Sequence, residues 1–118
     1  MQVELRSVGS AVAVALSGEL DLADADVLRR TLRDASEGRD LLVLDLAAVT
    51  FLDSTIIGVI MAARKHMRST GGHLFVMNAN GRPLRILELL KLASVVCAER
   101  AQLPDDVRTR LTELAPPD

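Results

Sequence analysis

The chain has no tryptophan, no tyrosine and only two phenylalanines, Phe51 and Phe75. Single-stranded nucleic acid is held by stacking its bases on aromatic rings, and this sequence has almost none to offer. The net charge is -2, so the basic surface that a phosphate backbone requires is missing too. Both observations speak against a nucleic-acid partner. Cysteine occurs once, as Cys97 in "ASVVCA", which excludes an intramolecular disulfide and a cysteine-based zinc cluster and suggests a buried structural thiol. No apolar run approaches the roughly 20 residues of a membrane helix, and "MQVELRSVGS" lacks the charged-then-apolar layout of a signal peptide. The expectation is a cytoplasmic protein without membrane insertion.

With 118 residues, 49% hydrophobic and 25% charged, the chain suits one domain that can bury a core without disulfides or metal. Residues 1–115 are expected to form it, with 116–118 frayed. Val3 and Leu5, then Val12, Val14 and Leu16, alternate with small or polar residues around Gly9-Ser10, which predicts an antiparallel hairpin of half-buried strands. Ala25, Leu28, Leu32 and Ala35 fall at helical spacing, and Gly38 stops the run. "LLVLDL" (41–46) is apolar without alternation, as in a central strand covered on both faces. A second helix is predicted over 54–69, stopped by "TGG", then a strand "HLFVM" (73–77). Pro83 suits the first position of a third helix, "SVV" suggests a final strand, and Asp105-Asp106 open a last helix with Val107, Leu111 and Leu114 on one side. Strands alternating with helices predict an α/β domain whose sheet is mixed but mostly parallel, with packed helices.

The segment "TFLDSTIIG" (50–58) holds the candidate site. At about 100° per residue from Ser54, the side chains of Ile56, Val59, Ile60, Ala63 and Met67 centre at roughly 200° and should face the sheet. Ser54 then lies on the outer side with Gly58, an exposed Met61, Lys65 and Arg68, a face suited to docking. Two readings of the triplet stand side by side. Asp, Ser and Thr are the usual N-cap residues, worth roughly 1 kcal/mol, so Asp53 could cap while Ser54 and Thr55 merely fill the first turn. Alternatively Ser54 is phosphorylated, which places about -1.5 to -2 charges where the helix dipole tolerates an anion but where a docked partner does not. Asp21 in "GELD" and Asp45 at the end of "LLVLD" are each either solvated caps or parts of an acidic cluster converging on Asp53 and Ser54.

These residues carry a family resemblance. "GELD" and "LLVLDLAAVTFLDSTIIGVIMAARKHMRSTGGHLFVMNANGRPLRILELLKL" resemble, over roughly residues 1–100, the STAS domains of bacterial anti-sigma factor antagonists. The resemblance implies a STAS-like single domain that binds an anti-sigma factor, itself a serine kinase, and so releases a sigma factor. It implies no catalytic activity and no cofactor of its own, phosphorylation at Ser54, and a phosphatase that reverses it. By motif position Asp53 and Asp21 carry over as binding or kinase-recognition residues, and the surface around Ser54 adds Thr55, Gly58, Met61 and Lys65. A monomer or weak dimer is expected. The family pattern usually has Gly where this chain has Ile56, and only the later Gly58 is kept.

Other functions fit less well. A STAS module could serve a signalling scaffold or a lipid-transport complex, which partner capture would reveal. A phosphorelay receiver needs paired acids after its first strand and a late Lys, where this chain has "ELRSVGS" and "VMNANG". Enzymatic readings lack a Ser-His or metal-ligand arrangement, since His66 and His73 have no carboxylate at ligand spacing.

Overall fold

The structure, a computed structural model, describes residues 1–98, 103 and 105–114. Strands β1 (Gln2–Val8) and β2 (Ala11–Leu20) form the expected hairpin, and a short 3-10 helix (Leu22–Asp24) leads into helix α1 (Ala25–Ser36). Strand β3 (Leu41–Leu52), helix α2 (Ser54–Ser69), strand β4 (His73–Met77) and helices α3 (Gly81–Leu89), α4 (Ala93–Val96) and α5 (Asp105–Leu114) follow. The sheet order is β1-β2-β3-β4, with β1 antiparallel to β2 and the pairs β2–β3 and β3–β4 parallel. This is the mixed, mostly parallel α/β sheet that the alternation of elements predicts.

Side-chain alternation divides the core in two. Val12, Val14, Leu16, Leu42, Leu44, Leu46, Leu74 and Val76 meet the buried residues of α1 and α2 on one face of the sheet. On the other, Ala11, Leu41 and Val43 meet Leu103, Val107 and Leu114, so α5 covers that side. The predicted buried positions of α1 are the observed ones. Helix α2 ends where "TGG" places its end: Gly71, at φ 81°, adopts the left-handed conformation, its N–H donates to the Arg68 carbonyl at 3.1 Å and that of Gly72 to Met67 at 2.8 Å. This double closure satisfies carbonyls that the last turn leaves unpaired.

Four expectations change. "SVV" is not a strand but the single turn α4, in which the Cys97 N–H donates to the Ala93 carbonyl at 2.9 Å. Sheet pairing there shrinks to one bridge, Val76 with Cys97, because Val96 turns into the core instead of continuing an extended run. Pro83 is the third residue of α3 rather than the first, a position whose missing N–H would also have lacked an intrahelical acceptor. Strand β3 runs six residues past Leu46 to Leu52: β4 pairs only as far as Asp45, while β2 follows β3 to its end, so the sheet finishes as a two-stranded ribbon with register shifts. Leu5 is 57% exposed, since β1 is the sheet edge and Leu5 lies on the face opposite α5, the helix that packs against this strand. The expected fraying of 116–118 falls outside the described residues.

Candidate functional site

The ribbon carries the site. Leu20 of β2 pairs with Leu52 of β3, and the Asp53 N–H donates to the Leu20 carbonyl at 3.2 Å, so Asp21 and Asp53 leave neighbouring strands at the same end. Asp53 then caps α2. Its backbone is extended (φ -98°, ψ 175°) and its Oδ1 accepts from the Ile56 N–H at 3.0 Å, while its carbonyl accepts from the Ile57 N–H at 3.1 Å. One carboxylate thereby satisfies an orphan donor of the first turn and places negative charge at the positive end of the helix.

Capping by Asp53 leaves Ser54 without that task. Ser54 is the first residue of α2, exposed, and its hydroxyl makes no hydrogen bond to any described residue. Thr55 is half-buried beside it, and Gly58, Lys65 and Arg68 are exposed on the same outward side, as the angular calculation requires. Met61 departs from that calculation, being half-buried against the main core instead of exposed. Helix α2 packs against α1 as well as the sheet, so its buried arc is wider and also takes in Ile57. Ile56, at 0% exposure, lies entirely within the core beneath the first turn.

The acids do not all converge. Asp21 is at the site, where its Oδ1 accepts from the Ala23 N–H at 3.0 Å and its own N–H donates to Asp24 at 3.1 Å, a reciprocal cap on the 3-10 helix. Asp45 is not at a strand end. It lies in mid-β3, paired with Ala15 and Met77, and its Oδ1 accepts from the Ala47 N–H at 2.9 Å and from Asn78 at 3.1 Å. Seven residues of strand, 46–52, separate it from Asp53, roughly 25 Å. Its role is to fix the bend of β3 and the loop after β4. That loop is tied again by Asn80, which donates to the Ala47 carbonyl at 3.3 Å.

Two side chains were missed in the sequence. Leu22, next to Asp21, is 69% exposed, and Phe51, two residues before Asp53, is 37% exposed. Both put apolar surface at the Ser54 end. The signal available was an apolar residue out of phase: Leu22 precedes the α1 stripe, and Phe51 sits between Val49 and Leu52, which face inward. Cys97 is half-buried, and burial, with the nearby Glu88 charge, pushes its thiol pKa above the ordinary value, which keeps the thiolate scarce. Among the described residues no group of three His, Cys, Asp or Glu could hold a metal ion, and no helix is long and apolar enough to cross a membrane.

A four-stranded mixed sheet with helices on both faces and its candidate site on the loops at one end makes this a small α/β domain. Within that class the chain belongs to the STAS domain family, whose model matches residues 2–111. It is similar to an anti-sigma F factor antagonist of Paenibacillus polymyxa, 30% identical over 116 residues, covering 97% of this chain and 95% of that one. An anti-sigma-B factor antagonist of Bacillus subtilis (strain 168) is 30% identical over 97 residues, covering 81% and 88%. Its fold matches that of the Bacillus cell fate determinant SpoIIAA in the phosphorylated form, with a TM-score of 0.68 at 18% identity over 91% of this chain and 100% of the other.

Proposed function

We propose that this protein is an anti-sigma factor antagonist that binds a kinase-type anti-sigma factor through the end bearing Ser54, releases a sigma factor, and is switched off by phosphorylation of Ser54. The observation that carries the reading is the division of labour in the triplet: Asp53 does the capping, and the Ser54 hydroxyl stands exposed and unengaged one residue later. In the transfer, Ser54 Oγ attacks the γ-phosphorus of ATP held by the kinase. The bond from that phosphorus to the bridging oxygen breaks, ADP leaves, and the hydroxyl proton passes to a base on the kinase. A phosphatase restores the hydroxyl by hydrolysis. Because these partners and ATP are cytoplasmic, so is the protein.

The product carries about -1.5 to -2 charges, and the first-turn N–H groups of α2 offer that anion favourable dipoles, so the fold survives. The partner's contact does not. Asp21, Asp53, Thr55, Gly58, Met61 and Lys65, with the exposed Leu22 and Phe51, form the docking end, and a hydrated dianion amid apolar contacts and beside Asp53 repels what had been bound. The names of the two relatives support the role as antagonist, and the phosphorylated form of SpoIIAA is an instance of this fold carrying phosphate.

The test is to incubate the protein with kinase-type anti-sigma factors and ATP and to map phosphate by mass spectrometry. Phosphate at Ser54, and complex formation by wild type and Ser54→Ala but not by Ser54→Asp, are the expected results. Equal binding by all three proteins removes the switch.

A further inference from the structure

We propose that the free edge of β1 is a self-association surface through which two copies join antiparallel about Leu5. Strand β1 is the sheet edge, with every residue exposed except the half-buried Val3. A hairpin closed by a two-residue turn exchanges both hydrogen bonds at its closing pair, here Val8 and Ala11. Alternation then directs the backbone groups of Val8, Arg6, Glu4 and Gln2 toward β2. Those of Val3, Leu5 and Ser7 point outward and have no backbone partner among the described residues.

A long, unpaired edge is ordinarily guarded by charge, and β1 carries two, Glu4 and Arg6. Both face alanines across the hairpin, Ala15 and Ala13, and neither is in an ion pair among the described residues. Their signs select one partner. In an antiparallel pair centred on Leu5, Glu4 of one copy lies opposite Arg6 of the other, twice by symmetry, and Val3 lies opposite Ser7. The same register brings the outward N–H and C=O groups of residues 3, 5 and 7 opposite one another, and it sets the two exposed Leu5 side chains side by side. A parallel, in-register pair would instead set Glu4 on Glu4 and Arg6 on Arg6. The edge therefore rejects indiscriminate strand addition and accepts a second copy of this chain.

The pairing does not compete with the proposed partner switch. The two-fold reverses the strands of the second copy, so the Ser54 ends point to opposite ends of the widened sheet, and both remain free.

The experiment is sedimentation velocity across a concentration series on wild type, Glu4→Arg, Arg6→Glu and the double variant Glu4→Arg/Arg6→Glu. Wild type is expected to shift toward dimer as concentration rises. Each single variant places like charges opposite each other at both symmetric positions and should weaken the dimer by on the order of tenfold. The double variant restores the pairing and should return to wild-type behaviour. Far-UV circular dichroism and thermal melts of each variant check that the monomer fold is unchanged, since Glu4 and Arg6 lie on the face where α5 packs. A wild type that stays monomeric at its highest soluble concentration overturns the proposal, as does a double variant as weak as the singles.

Discussion

Returning Ile56 to the glycine of the family pattern measures how far this core has closed around the extra side chain. The residue is fully buried in the main core, so truncation removes transfer free energy and also leaves a cavity. Ile56→Ala should cost about 2–5 kcal/mol. Ile56→Gly adds up to about 1 kcal/mol for backbone freedom in the first turn of α2. Against a typical domain stability of about 5–15 kcal/mol, a combined loss of up to about 6 kcal/mol unfolds the glycine variant if the wild type lies at the low end of that range. The Asp53 carboxylate accepts from the backbone N–H of residue 56, a bond both variants retain, so the loss reports packing and not capping. Urea unfolding followed by circular dichroism gives the difference from the midpoints, provided the slopes agree. A loss below about 1 kcal/mol for Ile56→Ala would refute the reasoning, since it would mean that the helix start settles onto the sheet without the side chain.

The cap itself is separable: Asp53→Ala should lower stability by about 1 kcal/mol, and Asp53→Ser should recover most of it, as thermal melts would show. Equal losses for the two would mean that Asp53 is not acting as the cap. At the opposite end of the sheet, Arg110 of α5 pairs with Asp40 and donates to Ser10 Oγ at 2.9 Å, and its guanidinium holds the Asp40 carboxyl below the ordinary value of 3.8. The contribution of a group with a depressed folded pKa is complete above the unfolded value and is lost as pH falls through the folded one. The stability gap between wild type and Asp40→Asn should therefore be constant above about pH 5 and close in acid, with a size under about 1 kcal/mol because the pair is exposed. A gap that is level through the acid range would exclude the Arg110 pairing as its source.

What could be read from the residues alone was whatever depends on local period and caps. Ala25, Leu28, Leu32 and Ala35 mark one side of α1 because a helix repeats every 3.6 residues, and "TGG" marks the end of α2 because its closure needs a left-handed residue. The outward side of α2 followed from the same period, and Ser54, Gly58, Lys65 and Arg68 lie there. What escaped depends on neighbours distant in the chain. Valines favour strands, yet Val95 and Val96 turn in α4 because Val96 is drawn into the core. Beyond Leu46 the exposed Ala47, Ala48 and Thr50 give β3 no alternation to read, and only its pairing with β2 reveals the strand. Asp45 looked like a strand end for the same reason. Met61 lies on the outward arc by angle alone, and only the second helix packed beside α2 explains why it is half-buried.

Strand β4 stops opposite Asp45 while β2 and β3 continue together to Leu20 and Leu52, so the hydroxyl-bearing end rides on a stalk of two strands. Side chains alternate sides along each limb, so inserting two residues in both would advance the tip by roughly 7 Å and keep every side chain on its present side. Inserting one would turn Leu20 and Leu52 out of the interior. The reach of this end toward another molecule is thus adjustable in paired steps only, a geometric quantum imposed by the stalk rather than by the chemistry at its tip.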